Sequence, residues 1–482
     1  MKIKAKLFYI ILIILSFIIV LFFHLDTWGT ATTLTESTGR ILRTHRIPAC
    51  TTACITGGKI DYESLTLSGE NLSSDALFLS GGATEILTGL SLNLLFEQNR
   101  LSPDDPITRF YPWLTFKYKD TPTDITVRQL ASHSSGIPYH TQDALYGEES
   151  EGFLRAAMRE VSGSTLSFLP GTAFRVVDTD YAILAFIIEK VSGTSWADYV
   201  TKNVIEPLGL TNTYLSYGDV PPNATVIRGS RTCAGFIIDY DISLNSANTP
   251  SKGMITSMED LTHLVRVLSG EVPAPEPLSK AVESLISQEY CAFSPEDTNS
   301  DPFYGGLFYS AEQDAFYRNA GMENFSTSLW FSRESRKAFI VQCSGMKAPS
   351  DQILENCIKS FDDKDDFLLS FISTETTDII SSFLSLIVFS MGVFNIVALQ
   401  KLRKKRYSTF RCVIGVILAL FYMVCTALIP FYFDCTYRML FAHTALMVTV
   451  FIGLSQLYGI LVILRIALNR KVDFRSGRGF GW

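Results

Sequence analysis

The sequence predicts a mixed α+β domain joined to membrane-spanning helices, and three observations support this prediction. Residues 47–65 contain two runs rich in β-forming residues on either side of Gly57-Gly58, which predicts a β-hairpin. Residues 78–106 place leucines at helical spacing and then end in polar residues, which predicts an amphipathic helix. Apolar blocks near both ends of the chain are long enough to cross a bilayer.

Four apolar blocks predict four membrane spans. Residues 7–23 form the first block, and the others cover about 379–399, 412–433 and 439–464. Basic residues dominate 401–411 and the C-terminal tail, so the positive-inside rule places the N-terminus, this loop and the tail in the cytoplasm. The large domain then lies outside the cell. Because no clear A-x-A cleavage site follows the first block, an uncleaved anchor is favoured over a signal peptide.

These segments divide the chain into five parts, and the bilayer is the expected partner of the apolar ones. The expected parts are a signal anchor at 1–24, an extracytoplasmic domain at 35–350, a linker at 351–377, three transmembrane helices at 378–467 and a cytoplasmic tail at 468–482.

The outer part of the chain is acidic. Residues 25–377 contain 45 Asp or Glu and 26 Lys or Arg, a formal charge of −19. This balance argues against nucleic acid as a partner. A cationic peptide is a conceivable ligand, but a solvated acidic surface is the favoured explanation of the charge.

Six cysteines lie in the outer part of the chain, and an even number in an exported domain permits disulfides without fixing their pairing. Two of them, Cys50 and Cys54, fall in one predicted strand about 13 Å apart, too far to bond each other. Burial as small apolar residues is the simpler expectation for both. No Cys or His spacing indicates a metal site, and no cofactor is expected. The other four are Cys233, Cys291, Cys343 and Cys357.

Several different motif-like patterns lie along the outer part of the chain. The most specific is DITVRQLASHSSGIPYH at 124–140. The others are Thr88-Gly89 followed by LSPDDP within 78–106, the P-G…PLGL pattern of 170–210, KGMITSMEDL at the start of 252–270, and YGG with YRNAGMENFSTS within 304–328.

These patterns resemble those of the serine β-lactamase-related proteins, which include penicillin-binding proteins, class C β-lactamases and D-aminopeptidases. The resemblance extends over about residues 35–345. It implies an antiparallel sheet flanked by helices, with a mostly helical insert at about 107–240. The order of a β-lactamase-like domain and three C-terminal spans also resembles the architecture of the colibactin-type prodrug peptidases.

The resemblance also implies where catalytic residues should lie, and this sequence has other residues there. Active members use a Ser-x-x-Lys pair, a Tyr-x-Asn triplet and a His-x-Gly or Lys-Thr-Gly strand for acyl transfer. The matching positions lack a nucleophile and a proton-carrying tyrosine, so no catalytic residue is intact. These cleft positions are Gly82 and Glu85, Val176 and Asp178, and Asn319 and Gly321.

Several alternatives stay open at these positions. Ser80 or Thr84 could replace the missing nucleophile, although each lies two residues from its place on a helix start. Glu85 and Asp178 could face each other across the cleft and share a proton or hold a cation or amine. His133 could act as a base, but in the family this position packs as part of the scaffold.

The favoured hypothesis is a catalytically impaired member of this family that acts as a membrane-tethered binding or regulatory protein outside the cell. Its cleft would bind a peptide or a fragment derived from the cell wall. The alternative is an active serine-type hydrolase or peptidase that uses a non-standard residue. A third hypothesis is that the three C-terminal spans carry out the function of the protein, for example transport. These spans contain few polar residues that could line an ion path.

Overall fold

The larger of two compact units contains the main β-sheet of the protein. This unit comprises Asp26–Arg231 and Ile237–Phe371, and the C-terminal helices from Ile372 onward belong to the other unit. The computed structural model describes residues 31, 33–234, 236–292, 301–345, 349–361, 374–401, 409–432, 436–443 and 446–474.

The strands of the described residues are short except for those of the main sheet. In chain order they are β1 (Ala49–Thr56), β2 (Lys59–Thr66), β3 (Leu77–Leu79), β4 (Phe116–Tyr118), β5 (Thr121–Thr123), β6 (Thr213–Tyr214), β7 (Ser230–Cys233), β8 (Phe236–Asp239), β9 (Ile255–Ser257), β10 (Phe303–Tyr304), β11 (Leu307–Ser310), β12 (Ala315–Gly321), β13 (Phe325–Ser332) and β14 (Lys337–Ser344).

The α-helices of the larger unit fall mostly between the first hairpin and the last five strands. They are α1 (Leu34–Thr44), α2 (Glu85–Glu97), α3 (Ile107–Phe110), α4 (Val127–Ala131), α5 (Phe153–Val161), α6 (Asp178–Ser192), α7 (Trp196–Val200), α8 (Glu206–Leu208), α9 (Thr249–Lys252), α10 (Met258–Leu268), α11 (Leu278–Ile286) and α12 (Ser350–Phe361).

The main sheet is antiparallel and has the order β10-β11-β12-β13-β14-β1-β2. Strands β1 and β2 form the hairpin that the sequence predicts. Strand β1 also pairs along its whole length with β14, so the first and last strands are neighbours in the middle of the sheet. The architecture confirms the predicted α+β fold with an antiparallel sheet and flanking helices.

Each face of the main sheet is covered by a different set of side chains, because neighbouring residues of a strand point to opposite faces. One face carries Ala53, Leu329 and Ile340 and joins the large core with the helical part of the unit. The other face carries Val341 and Phe339 and forms a smaller core that includes residues of α1 and α12. Helix α12 lies in the stretch that the sequence predicts to be a linker.

Helix α2 is buried on every side, which differs from the amphipathic helix that the leucine spacing predicts. Its polar residues Ser91 and Asn93 are as buried as its leucines. Their side chains donate hydrogen bonds to carbonyl oxygens of the preceding turn, so their burial leaves no donor unpaired. The helix therefore serves as a central core element between the sheet and the other helices.

Close packing on α2 depends on glycine. A Cβ atom placed on Gly89 would lie 2.4 Å from the carbonyl oxygen of Gly305, and one on Gly306 would lie 2.5 Å from the amide nitrogen of Ile86. Because these atoms belong to the backbone, they cannot rotate away. The Thr-Gly and Tyr-Gly-Gly patterns of the sequence thus mark one contact between α2 and the β10–β11 turn.

The C-terminal unit contains apolar helices. Of the described residues, Ile380–Val397 and Leu446–Leu468 lie in helices long and apolar enough to cross a membrane, and Cys412–Ala427 is an apolar but shorter helix. The predicted N-terminal span at 7–23 lies outside the described residues. The helices are α13 (Thr374–Lys401), α14 (Thr409–Ala427), α15 (Ile429–Tyr432), α16 (Tyr437–His443) and α17 (Leu446–Phe474).

We expect Gly89→Ala to lower the free energy of unfolding of the larger unit by about 1–3 kcal/mol, since the new methyl group meets fixed backbone atoms. Gly39→Ala is the matched control, because Gly39 also lies within a helix but its Cβ would meet nothing closer than 3.4 Å. That change should stabilise α1 by up to about 1 kcal/mol. Urea unfolding of the full-length protein in detergent, followed by tryptophan fluorescence, measures both. Equal effects would contradict the packing argument.

Candidate functional site

The sequence predicts that the turn at residues 80–85 matches the serine-bearing segment of the family pattern. Strand β3 pairs with β9 and leads into a 3₁₀ turn, Gly81–Thr84, which continues directly into α2. A Cβ atom placed on Gly82 would lie 2.4 Å from Nη2 of Arg318 and 3.2 Å from the Cβ of Ala320. The guanidinium of Arg318 thus occupies the space into which a side chain at position 82 would extend.

Glu85, at the position of the family's lysine, forms a buried ion pair with this arginine. Its Oε2 accepts a hydrogen bond of 2.7 Å from Nη2 of Arg318, and both side chains are about 95% buried or more. Arg318 comes from β12, and its guanidinium carbon lies 5.0 Å from the ring centre of Phe303. The arginine therefore neutralises the carboxylate that replaces the lysine, and the aromatic ring covers the cation.

A second cation, His133, lies on the other side of Glu85. Its Nε2 is 3.4 Å from Oε1 of Glu85, and its Nδ1 is 2.9 Å from Oδ2 of Asp180. Asp180 also accepts a hydrogen bond of 2.6 Å from Ser135. Burial alone lowers the pKa of His133, but the Glu85 and Asp180 carboxylates outweigh it and raise the pKa to about 9. Four buried charges then balance: two carboxylates, one guanidinium and one imidazolium.

A separate charge cluster lies around Lys252, the last residue of α9. Its Nζ is 2.7 Å from Oδ2 of Asp178 and 3.2 Å from Oε1 of Glu323. It also donates a hydrogen bond of 3.1 Å to the hydroxyl of Tyr146, which in turn donates to Glu323. Burial lowers the pKa of Lys252, but the two carboxylates outweigh burial and raise it well above the usual value. The cluster carries a formal net charge of −1.

The two carboxylates that the sequence places in the cleft do not share a proton. Glu85 is paired with Arg318 and His133, whereas Asp178 is paired with Lys252. The side chain of Asp178 is 17% exposed, so it is the part of the second cluster nearest to solvent. Each carboxylate thus has its own cation, and the interpretation as a facing carboxyl pair is not supported.

The remaining predicted positions lie apart from these clusters. Val176 is 39% exposed. Asn319 is also exposed, and it follows Arg318 in β12, so its side chain points to the opposite face of the sheet. Gly321 lies on that same face. The structure brings Gly82 and Glu85 together with Arg318, not with Asn319.

Neither candidate for a replacement nucleophile is accessible. Ser80 is fully buried and accepts a hydrogen bond from Nε2 of Gln342. Thr84 is fully buried, donates to the carbonyl oxygen of Gly81 and accepts from the amide of Met254. Both hydroxyls therefore hold the turn together. Among the described residues, no group of three or more His, Cys, Asp or Glu side chains is arranged to hold a metal ion.

Sequence reasoning missed five residues of the two clusters, and Asp180 carried no signal in the sequence. Arg318 stands next to the predicted Asn319, so a charged residue inside a strand pattern was the available signal. Lys252 opens the KGMITS pattern but matches no family position, and Tyr146 and Glu323 carried no signal. A side chain belongs to a cluster only if it lies on the right face of its strand or helix. The spacing of the motifs does not determine that face.

Removing one partner of the Glu85–Arg318 pair should leave a buried uncompensated charge. We expect Arg318→Met to lower the free energy of unfolding by about 3–5 kcal/mol. The double variant Glu85→Gln, Arg318→Met should recover much of this loss, because it removes both charges. Urea unfolding of the full-length protein in detergent gives both values. Additive losses in the double variant would show that the two side chains do not depend on each other.

The charged form of His133 should make the stability depend on pH. Because its pKa is raised in the folded state, its contribution is fully present below about pH 6.5 and is lost as the pH rises through about 9. We expect the wild-type protein to lose on the order of 3 kcal/mol over this range, and more than His133→Gln does. Unfolding curves from pH 6 to 10 test this expectation. Parallel losses in the two proteins would contradict it.

Comparison with known proteins gives the family. A family model described as Beta-lactamase matches residues 34–356, more than half of the chain. Protein flp of Staphylococcus aureus (strain MW2) is 24% identical over 262 residues, which cover 54% of this chain and 51% of that protein. A putative D-alanyl-D-alanine carboxypeptidase of Escherichia coli K12 is 31% identical over 140 residues, or 26% of this chain and 30% of that protein. The chain spans about half the length of the first of these curated relatives, and less of the second.

Solved structures agree on the fold. The octameric penicillin-binding protein homologue from Pyrococcus abyssi superimposes with a TM-score of 0.55 at 18% identity, covering 69% of this chain and 77% of that one. EstCE1, a hydrolase with promiscuous acyltransferase activity, gives a TM-score of 0.57 at 17% identity, covering 67% and 96%. The family model covers more than half of the chain and the fold agrees with it, so the chain belongs to the Beta-lactamase family.

Proposed function

We propose that this protein is a member of the Beta-lactamase family that does not form an acyl-enzyme and acts instead as a membrane-tethered binding or regulatory protein. The observation that carries the proposal is the position of Arg318. Its guanidinium lies where the side chain of a nucleophile at position 82 would begin, and it is held there by Glu85. A serine at this position would therefore require the buried, ion-paired guanidinium to move away.

The electrostatics of the site support the same proposal. Acyl transfer in this family requires a base that takes the proton of the nucleophile. Around Gly82 the ionisable groups are paired into a balanced set, in which Glu85 and Asp180 each contact a cation. The ammonium of Lys252 is held by Asp178 and Glu323 and has a raised pKa, so it is a poor base at neutral pH.

The alternative of an active hydrolase rests on the printed names of relatives, which include a putative carboxypeptidase and a hydrolase. It requires a hydroxyl that reaches a substrate. Ser80 and Thr84 are both fully buried and hydrogen bonded within the turn. This geometry favours the binding hypothesis over the hydrolase.

The cluster around Lys252 favours one kind of ligand for the cleft. Asp178 is partly exposed, and its carboxylate already holds an ammonium group, that of Lys252. A ligand with an ammonium group, such as a peptide or a cell-wall fragment with a free amine, would meet a compensating charge there. The apolar helices 380–397 and 446–468 would hold the domain at the membrane, and the positive-inside rule would place it outside the cell.

The proposal predicts that the folded protein is inert toward acylating probes. Full-length protein in detergent is incubated with a fluorescent penicillin and a fluorophosphonate, and its intact mass is then measured. No covalent adduct is expected, because position 82 has no nucleophile. Thermal melting of the same sample confirms that the protein is folded.

The control variant is Gly82→Ser, which restores a hydroxyl but leaves Arg318 and Glu85 in place. It should also remain unlabelled, since its side chain meets the guanidinium. An adduct on the wild-type protein would overturn the proposal, and peptide mapping would then identify the reacting residue. An adduct on Gly82→Ser alone would show that the cleft is still competent for acyl transfer.

A further inference from the structure

Four cysteines lie together in the smaller core, far along the chain from one another. Cys50 and Cys54 are in β1, Cys343 is in β14, and Cys357 is in α12. All four are at least 90% buried. The three cysteines of the strands lie on the same face of the sheet, because Cys50 and Cys54 are four residues apart and Cys343 is opposite Cys50. This face is opposite to the one that carries Arg318.

The register of the sheet places one cysteine of β1 directly opposite the cysteine of β14. Cys50 stands opposite Cys343 in the antiparallel pairing of β1 with β14. Cα atoms of directly opposed residues are about 4.5–5.5 Å apart in such a ladder. A disulfide needs a Cα separation of about 4.4–6.8 Å, so this pair meets the requirement without movement of the backbone.

The other two cysteines meet where helix α12 packs on the sheet. Cys54 and Cys357 belong to the same apolar core. The Cys357 thiol lowers the pKa of Cys54, and the Cys54 thiol raises the pKa of Cys357. This mutual influence agrees with their place in one core, and Cys54 is the one that more readily forms a thiolate.

Helix α12 is fixed in this position by contacts that do not involve sulfur. The hydroxyl of Ser350 bonds the hydroxyl of Ser328 at 2.8 Å, and Asn356 donates a hydrogen bond of 2.9 Å to Ser37 of α1. The approach of Cys357 to β1 is therefore a property of the packing as a whole. Cross-linking would act on an arrangement that the other side chains already hold.

We propose that this core is an oxidation site in which Cys50 bonds to Cys343 and Cys54 bonds to Cys357. In each pair, one thiolate attacks a disulfide of an oxidising thiol–disulfide partner, and the second thiolate then displaces that partner from the mixed disulfide. Each pair loses two electrons and two protons, and the partner disulfide takes them up to become two thiols. Because the sulfurs are buried, the exchange takes place while the domain folds.

The two bonds would have a defined structural effect. Both involve β1, which follows the N-terminal segment, and they tie it to the last strand and to the last helix of the larger unit. The closed loops are nearly as long as the domain, which is the case in which a cross-link restricts the unfolded chain most. The proposal does not depend on whether the cleft binds or hydrolyses a ligand.

A disulfide map of the full-length protein tests the proposal. The protein is purified from the membranes of expressing cells without reductant, with free thiols blocked by N-ethylmaleimide at lysis and again after unfolding. Peptides that join Cys50 to Cys343 and Cys54 to Cys357 are expected. Cys425, an exposed cysteine of α14, should carry the label and serves as the internal control. Reduction should lower the melting temperature by about 5 °C or more.

Two variants test the two proposed disulfide bonds separately. Cys343→Ala should make Cys50 reactive while the Cys54–Cys357 peptide persists, and Cys357→Ala should do the converse. Should either variant fail to fold, the map of the wild-type protein decides by itself. Label on all four cysteines in the unfolded, unreduced wild-type protein would overturn the proposal, and so would cross-links that join other partners.

Discussion

The ion pair between Glu85 and Arg318 is the interaction on which the rest of the site depends. A carboxylate at the start of the buried helix α2 cannot remain without a counter-charge, because the cost of burying an isolated charge is large. Arg318 supplies that charge from the neighbouring strand, and it reaches Glu85 only because Gly82 has no side chain. His133 and Asp180 then extend the pair into a balanced network.

The fold around this network is held by contacts that do not include its charged groups. Ser80 and Thr84 hold the turn at residues 81–84 through hydrogen bonds, and Gly89 allows α2 to approach the β10–β11 turn. Strand β1 pairs with β14 along its whole length. The four charges at the centre are paired with one another, so the network adds to a framework that other contacts already form.

Sequence reasoning predicted the fold class, the first hairpin and the central helix, since each depends on local spacing. It also singled out Gly82 and Glu85, which the structure places beside Arg318. It did not find Arg318, because the choice between Arg318 and Asn319 as the residue facing the helix depends on strand register. It predicted a one-sided helix where α2 is buried on all sides, since leucine spacing does not report how many neighbours surround a helix. The pairing of cysteines likewise depends on register, and spacing alone left it open.

The contact between Gly82 and Arg318 has a consequence for any redesign of this site. A serine at position 82 would require the buried guanidinium of Arg318 to move, and a lysine at position 85 would place two cations together beside His133. Residues 82, 85 and 318 therefore form one unit, in which each substitution changes what the other two positions can hold.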